Sequence, residues 1–220
     1  MSYEFPPAVL FPTIVRVGQV DRTPRVDGSL GEWSDEHRLP PLHELADGHG
    51  FGRLWMTWND GGVYLALHVP TERPVVVNRQ HPASGDCLEL FIDTRAGQTG
   101  HRATQFCYHF WALPTGGGPG RAEPIIWQTG LPNALRRAAP VNADDLRIAA
   151  REDGDGWTME IGLPAESLLG LEPRAGARLG LAMVIRNPEH GLHYWGTARE
   201  LPHMRDPSTW SLVELADRNA

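Results

Sequence analysis

The sequence is poor in cysteine, in long hydrophobic runs and in basic charge. Its two cysteines, Cys87 and Cys107, fall on segments that we expect to pair as strands, but not opposite each other, so no disulfide is predicted. Reduced thiols favour a cytoplasmic protein. No stretch approaches the roughly 18 apolar residues of a membrane span, and no polybasic run predicts contact with a membrane surface. The net charge of −7 argues against a nucleic-acid partner, which needs a basic face.

The N-terminal segment also lacks the features of a secretory signal. Residues 1–12 contain Glu4 and three prolines instead of a basic start followed by a continuous apolar run. We therefore expect an arm that lies on the protein surface, and a cytoplasmic location.

Glycine and proline are abundant, with 24 Gly and 19 Pro among 220 residues. This composition predicts many turns between short strands, and segments such as 63–69 alternate apolar and polar residues as strands do. The predicted fold class is all-β: an antiparallel β-sandwich of the immunoglobulin or jelly-roll type, with nine to eleven strands and one short helix at 164–169. Residues 1–23 would form the arm and first strand, and residues 24–220 the rest of the sandwich. The stretch 114–120 is predicted to be a loop.

The most informative segment is the strand predicted over residues 85–93. Alternate side chains of a strand point to opposite faces, with Leu88, Leu90 and Ile92 on the core side and Cys87, Glu89, Phe91 and Asp93 on the other. A symmetric hairpin with residues 105–113 would place three pairs opposite each other: Glu89 with His109, Phe91 with Cys107, and Cys87 with Trp111.

This pairing would gather a polar patch of Glu89, Gln105 and His109 beside Trp111, which has two interpretations. The patch could bind the vicinal hydroxyls of a sugar, with Trp111 as a stacking surface. Alternatively, Glu89 and His109 satisfy each other on a solvated sheet face. Under the first interpretation, Glu89→Ala is expected to abolish saccharide affinity and leave folding nearly intact, because an outward carboxylate adds little to stability.

Five short fragments occur once each, in this order, along roughly residues 24–215: Val26-Asp27-Gly28 with Glu32-Trp33; Trp58-Asn59-Asp60 with Val63-Tyr64-Leu65; Gly85 to Asp93; Gly156 to Pro164; and Arg205 to Trp210. Together they resemble the motifs of the family 9 carbohydrate-binding modules and of the wider DOMON-like sandwiches. The resemblance implies a β-sandwich that binds carbohydrate and catalyses no reaction. The implied partner is a small saccharide or the end of a glycan.

The resemblance also implies which residues bind the ligand. In the family a sugar lies between two tryptophan rings while polar side chains hold its hydroxyls. Glu89 matches the ligand-binding glutamate of the signature strand, and Arg205 belongs to the closing motif. Three residues fall on the family's Gln-x-Arg-x-Asn set: Gln105, Cys107 and His109.

The sequence departs from the family at the aromatic clamp. Ala83 and Met204 stand where the family has its two tryptophans. Trp111 could replace part of the missing clamp. The loss of both rings also favours a different class, an interaction domain that kept the sandwich and lost the sugar. A third class is redox, because some DOMON-like sandwiches hold a b-type haem between a Met and a His or Lys, and Met204 could face His109.

The sequence favours a binding domain over a metalloprotein or an enzyme, and no cofactor is expected. Cys107, His109 and His101 lack the spacing of a closed zinc site. Calcium could bind near Asp144 or Asp153, but turns use aspartate more often. A glycosidase pair of Glu89 and Asp93 would lie about 13 Å apart along one strand, beyond the roughly 5–9.5 Å that either hydrolytic mechanism uses.

Overall fold

The alternating segments of the chain form two β-sheets that stack face to face. The computed structural model describes residues 14–42, 50–97 and 100–218, and these contain eleven strands. The fold class predicted from the sequence is therefore confirmed. The arm predicted over residues 1–12 lies outside the described residues.

The strands, in chain order, have the following bounds: β1 Ile14–Gly18, β2 Arg53–Asn59, β3 Gly62–Val69, β4 Cys87–Asp93, β5 Cys107–Gly117, β6 Glu123–Thr129, β7 Arg147–Asp153, β8 Gly156–Pro164, β9 Arg178–Asn187, β10 Gly191–Trp195 and β11 Ser211–Ala216. A seven-stranded sheet has the order β1-β11-β9-β4-β5-β6, with β10 also paired to β9, and a four-stranded sheet has the order β2-β3-β8-β7. β1 and β11 run parallel, whereas the other paired strands are antiparallel.

The core lies between the sheets and consists of alternate side chains from each strand. Leu88, Leu90 and Ile92 of β4 face inward and are fully buried, as predicted. Burial of each stabilises the fold by roughly 1.5–3 kcal/mol. Trp58 lies in the same core, and its indole Nε1 donates to the carbonyl oxygen of Val17 at 3.0 Å. This bond connects β1 to the four-stranded sheet.

The register of the central hairpin differs from the predicted one by two residues. β4 and β5 pair as follows: Glu89 with Trp111, Phe91 with His109, and Asp93 with Cys107. The predicted pairing of Glu89 with His109 is therefore wrong. A shift by two residues keeps every side chain on its face, so both residues still lie on the outer face, away from the core.

A turn that precedes β5 explains the shift. The amide of Cys107 donates to the carbonyl of Thr104 at 3.1 Å, so Gln105 and the residue after it form the turn rather than the first rungs of the ladder. Asp93 forms the turn that follows β4, because its carboxylate accepts hydrogen bonds from the amides of Arg95 at 3.0 Å and Gly97 at 2.7 Å. Local turn geometry thus sets where this hairpin begins.

Two other predictions require correction. Residues 114–117 continue β5 rather than forming a loop, because a register irregularity between Leu113 and Gly117 accommodates the proline and glycines. The short helix predicted at 164–169 is a single 3₁₀ turn, Ala165–Ser167. In the described ranges, no helix has the length and apolar character needed to cross a membrane.

Both cysteines are free, as the sequence predicted, and both are buried. Burial raises the pKa of the Cys87 thiol to about 12 and that of the Cys107 thiol to about 11. Because the thiolate is the reactive form, neither cysteine should react with a thiol reagent at pH 8 in the folded protein, whereas both should react in denaturant. A colorimetric thiol titration checks this, and rapid labelling of the native protein would contradict the buried positions.

The segment between β1 and β2 is attached to the outer face of the four-stranded sheet by Glu160. This buried carboxylate on β8 accepts the amide of Asp27 at 2.8 Å, the amide of Gly28 at 2.6 Å and the indole Nε1 of Trp33 at 2.7 Å. Gly28 has φ +84, and a Cβ there would lie 3.1 Å from the backbone carbon of Ala150. Two of the five family-like sequence fragments, the first (Val26 to Trp33) and the fourth (Gly156 to Pro164), are therefore joined by the hydrogen bonds of Glu160.

Glu160→Ala should lower the free energy of unfolding by about 3 kcal/mol or more, because each buried donor left without an acceptor costs about 1–3 kcal/mol. Urea denaturation followed by fluorescence measures the loss. Glu152→Ala, an exposed position on neighbouring β7, is the control and should change stability by less than about 0.5 kcal/mol. Equal midpoints for the two variants would show that the carboxylate does not hold the segment.

Candidate functional site

A row of side chains crosses the outer face of the seven-stranded sheet and has Glu89 at its centre. The strands align five residues as successive partners: Tyr194 on β10, Val184 on β9, Glu89 on β4, Trp111 on β5 and Trp127 on β6. Aromatic rings therefore flank the carboxylate across about 20 Å of sheet, given a strand spacing of about 4.8 Å. A charged group at the centre of an aromatic row requires partners, since burial disfavours an isolated charge.

Two basic side chains, His109 and Arg186, supply those partners. His109 Nε2 lies 2.9 Å from Glu89 Oε1, and the Arg186 guanidinium donates to Glu89 Oε2 at 2.7 Å. Glu89 itself is 0 % exposed. Burial acts to raise the pKa of Glu89, but the hydrogen bonds from His109 and Arg186 and their charges outweigh it and hold the pKa below its usual value. Glu89 is therefore an ionised group that positions its neighbours.

Aromatic contacts hold the two partners in place. The imidazole of His109 stacks on Phe91, with ring centroids 4.3 Å apart, and the Arg186 guanidinium lies 5.7 Å from the centre of the Trp111 ring, within the range of a cation–π contact. The Arg186 side chain is 18 % exposed. Arg186 thus reaches solvent while Glu89 and Trp111 fix its direction.

His203 closes the other side of the face. Its ring lies edge-on to Phe91 at 5.5 Å and to Tyr194 at 5.7 Å, and burial lowers the pKa of its imidazole. The segment that carries it is held by Trp210, whose indole donates to the carbonyl of His203 at 2.8 Å. At neutral pH a neutral imidazole can both donate and accept a hydrogen bond.

The solvent-accessible part of this face is here called the Arg186 surface and comprises four side chains: Arg186, Trp111, Tyr194 and His203. All four side chains are partly exposed. Two nitrogen atoms beneath it, His109 Nδ1 and Arg186 Nε, are buried and make no hydrogen bond within the part of the chain that the structure describes. These two nitrogen atoms are therefore hydrogen-bonding groups of this face that the described residues leave without a partner.

The residues predicted from sequence separate into two groups. Glu89, His109 and Trp111 come together as proposed, although the first two lie beneath the surface. Gln105 lies in the turn that precedes β5, beyond the pairing of Asp93 with Cys107, and its side-chain oxygen accepts from Arg136 at 3.5 Å. The strand register therefore keeps Gln105 away from Glu89.

The closing motif contributes its last residue to this face, because the buried Trp210 ring lies 5.6 Å from that of Phe91. Arg205 is exposed, and Met204, 39 % exposed, stands beside His203. Asp206 caps the following 3₁₀ turn by accepting the amide of Ser208 at 2.9 Å. The Asp206 carboxylate therefore stabilises the backbone turn of this motif.

Sequence reasoning missed Arg186, Tyr194 and His203. A signal for Arg186 existed: the inward alternation of Leu179 to Ile185 on β9 assigns Arg186 to the outer face, where a mid-sheet charge needs a counterion. Tyr194 and His203 carried no comparable signal, because β10 and the following loop reach this face only through the tertiary fold.

The loop before β4 covers one end of the face. Asp86 accepts the amide of Val76 at 2.9 Å and the side chains of Trp157 and Asn187 at 3.2 and 2.8 Å. The Cys87 thiol, on the same face as Glu89, lies 3.2 Å from the carbonyl of Pro82. Residues 76–86 are thus held against the sheet at the end of the face that carries Cys87.

A haem does not fit the pair that suggested it. An axial histidine needs a free ring nitrogen open to the iron, but His109 directs Nε2 at Glu89, its other nitrogen, Nδ1, is buried, and its ring stacks on Phe91. Met204 is at the surface, outside the covered cluster around Phe91. For metal ions, the described residues contain no group of three or more His, Cys, Asp or Glu side chains arranged to hold one.

The overall architecture is similar to solved carbohydrate-binding structures. One is a family 9 carbohydrate-binding module from Caldicellulosiruptor kristjanssonii in complex with cellotriose, with a TM-score of 0.68, 12 % identity, and coverage of 94 % of this chain and 95 % of that one. A family 9 module from the same organism in complex with glucose gives a TM-score of 0.61 at 13 % identity, covering 92 % and 96 %.

A third structure, from Bacteroides uniformis ATCC 8492 and described provisionally as carbohydrate-binding, gives a TM-score of 0.51 at 12 % identity, covering 91 % of this chain and 98 % of that one. No protein-family model matches the chain, and no curated protein matches it. The chain has the β-sandwich fold of the family 9 carbohydrate-binding modules, as the five sequence fragments implied.

The buried position of Glu89 reverses one expectation, that its removal would leave folding nearly intact. Glu89→Gln should lower the free energy of unfolding at pH 7 by roughly 3 kcal/mol, because Arg186 loses its counterion. The folded pKa lies below the unfolded one, so this stabilisation is present above the unfolded pKa of about 4.3 and is lost as pH falls through the folded pKa. Urea denaturation at pH 7 and in acid should show the difference from wild type shrinking.

Glu172→Gln is the control for this experiment, since Glu172 forms an exposed ion pair with Arg95 at 2.9 Å and should contribute little. A Glu89→Gln variant as stable as Glu172→Gln at pH 7 would contradict the role assigned to the buried carboxylate.

Proposed function

We propose that this protein is a non-catalytic carbohydrate-binding domain that holds a small saccharide or glycan end against the Arg186 surface. The observation that carries the proposal is the guanidinium of Arg186, which is fixed between the buried Glu89 carboxylate and the Trp111 ring and is still 18 % exposed. A donor that is already oriented loses little conformational entropy when it binds a ligand hydroxyl.

The neighbouring side chains suit a sugar. Trp111 and Tyr194 offer aromatic surface on either side of Glu89, against which the apolar C–H face of a pyranose ring can pack. The Tyr194 hydroxyl and the His203 imidazole add groups that donate and accept hydrogen bonds. Glucose and the cellulose fragments are suitable first probes, because the similar solved modules were captured with glucose and cellotriose.

The proposal assigns Glu89 a positioning role rather than a contact with the ligand. Both of its carboxylate oxygens are engaged by His109 and Arg186. The same engagement argues against hydrolysis, since a glycosidase acid needs a raised pKa to carry its proton, whereas the pKa of Glu89 is lowered.

Trp111→Ala should weaken cellotriose binding, measured by isothermal titration calorimetry, by about 5- to 150-fold, the range for about 1–3 kcal/mol per stacked ring by analogy with base stacking. Arg186→Gln should weaken it as well, because the oriented charge is lost. Arg178→Gln is a matched control: Arg178 begins the same strand, about 27 Å away, and pairs with Glu214 at 2.8 Å. It should bind as wild type does.

Two outcomes would contradict the proposal. Equal loss of affinity in Arg178→Gln and Arg186→Gln would place the ligand elsewhere. The absence of binding to glucose, cellobiose and cellotriose by folded wild-type protein would favour instead an interaction domain. The exposed, non-aromatic side chains of Ala83 and Met204 at the two clamp positions are the observation that supports that second function.

A further inference from the structure

A second concave region lies on the opposite side of the sandwich, on the outer face of the four-stranded sheet. This region, here called the His68 cleft, has a volume of about 440 Å³ and six principal lining residues: Gly28, Arg53, Trp55, His68, Arg151 and Asp153. Its floor follows one row of strand partners, namely Arg53, His68, Thr158 and Arg151. The volume falls within the roughly 300–1,000 Å³ of small-molecule sites.

His68 is the feature of the floor that most needs an explanation. It projects from β3 on the side away from the core, is only 6 % exposed, and lines the cleft. Its Nε2 lies 3.6 Å from the Asp155 carboxylate, whereas Nδ1 is buried and has no hydrogen-bond partner among the described residues. A buried polar atom without a partner costs about 1–3 kcal/mol, and a ligand hydroxyl entering the cleft can supply that partner.

The wall opposite Arg53 is rigidly held. The Thr158 hydroxyl donates to the carbonyl of Gly28 at 2.7 Å, and Arg151 Nε donates to the carbonyl of Asp27 at 2.9 Å. Glu160 holds the same turn from below through the amides of Asp27 and Gly28. Because the wall is formed before any ligand arrives, binding requires little ordering of the protein.

The charges around the cleft favour a neutral ligand. Arg53 and Arg151 line the cleft together with Glu152 and Asp153, so both signs of charge are present and neither dominates. Trp55, also a lining residue, contributes aromatic surface. A molecule with many hydroxyls and no net charge matches this mixture better than an anion or a cation does.

We propose that the His68 cleft is a second binding site for a neutral mono- or disaccharide, separate from the Arg186 surface. His68 and Arg53 supply hydrogen bonds to hydroxyls, and Trp55 contacts the apolar face of the sugar. The two sites lie on the outer faces of different sheets, so one molecule could engage two glycan ends or two positions on one polymer. Such bivalent contact raises apparent affinity for a polymer without any new contact.

Cellobiose titrated into the Trp111→Ala variant tests the cleft with the first site weakened. NMR spectra of the imidazole nitrogens report on His68 directly, and saturable shifts of its Nδ1 are expected with a Kd of roughly 1 mM or weaker. Adding Arg53→Ala to that variant should weaken the binding at least tenfold. Arg53 is exposed at the start of β2, so this variant should fold even where a His68→Phe variant does not.

Arg147→Ala is the matched control, because Arg147 is an exposed arginine that begins β7 and lies outside the cleft. Unchanged His68 resonances at saturating cellobiose, or equal affinities in the Arg53→Ala and Arg147→Ala backgrounds, would overturn the second site. The two proposals fail separately: cellotriose affinity that does not depend on Trp111 rejects only the Arg186 surface, and the absence of His68 shifts with cellobiose rejects only the cleft.

Discussion

The charge cluster of Glu89, His109 and Arg186 is the constraint on which the outer face of the seven-stranded sheet depends. A fully buried carboxylate is tolerated there only because both of its oxygens meet cationic or polar hydrogen-bond donors. The cluster joins three adjacent strands, β9, β4 and β5. It also sets the direction of Arg186, so the contact that stabilises this face is the one that presents a donor to solvent.

The four-stranded sheet also carries a buried carboxyl group, which is hydrogen-bonded by different partners. Glu160, on the outer face of β8, is satisfied by two backbone amides and an indole rather than by cationic side chains. The Glu160 carboxyl group therefore holds a chain segment, whereas the Glu89 carboxylate holds a side chain. This difference explains the contrast between the two proposed sites: one is a surface with an oriented cation, and the other is a cleft with a preformed wall.

Several features of the fold followed from local patterns. The alternation of Leu88, Leu90 and Ile92 against Glu89 and Phe91 predicted the buried and outer faces of β4 correctly, because a strand has a side-chain period of two. The pairing register did not follow, since the turn at Thr104 to Cys107 moved the start of β5 by two residues. The prediction of a short helix at 164–169 was also wrong, because a single 3₁₀ turn connects β8 to the following loop.

By itself, the sequence determined the all-β class, the core faces of the strands and the presence of Glu89, His109 and Trp111 on one side of a hairpin, because these depend on periodicity along neighbouring segments. Only the tertiary structure decided which groups meet Glu89. Arg186 comes from a strand 97 residues further along the chain, and His203 from a loop beyond it. No local pattern encodes such contacts, because they depend on the order of strands in the sheet.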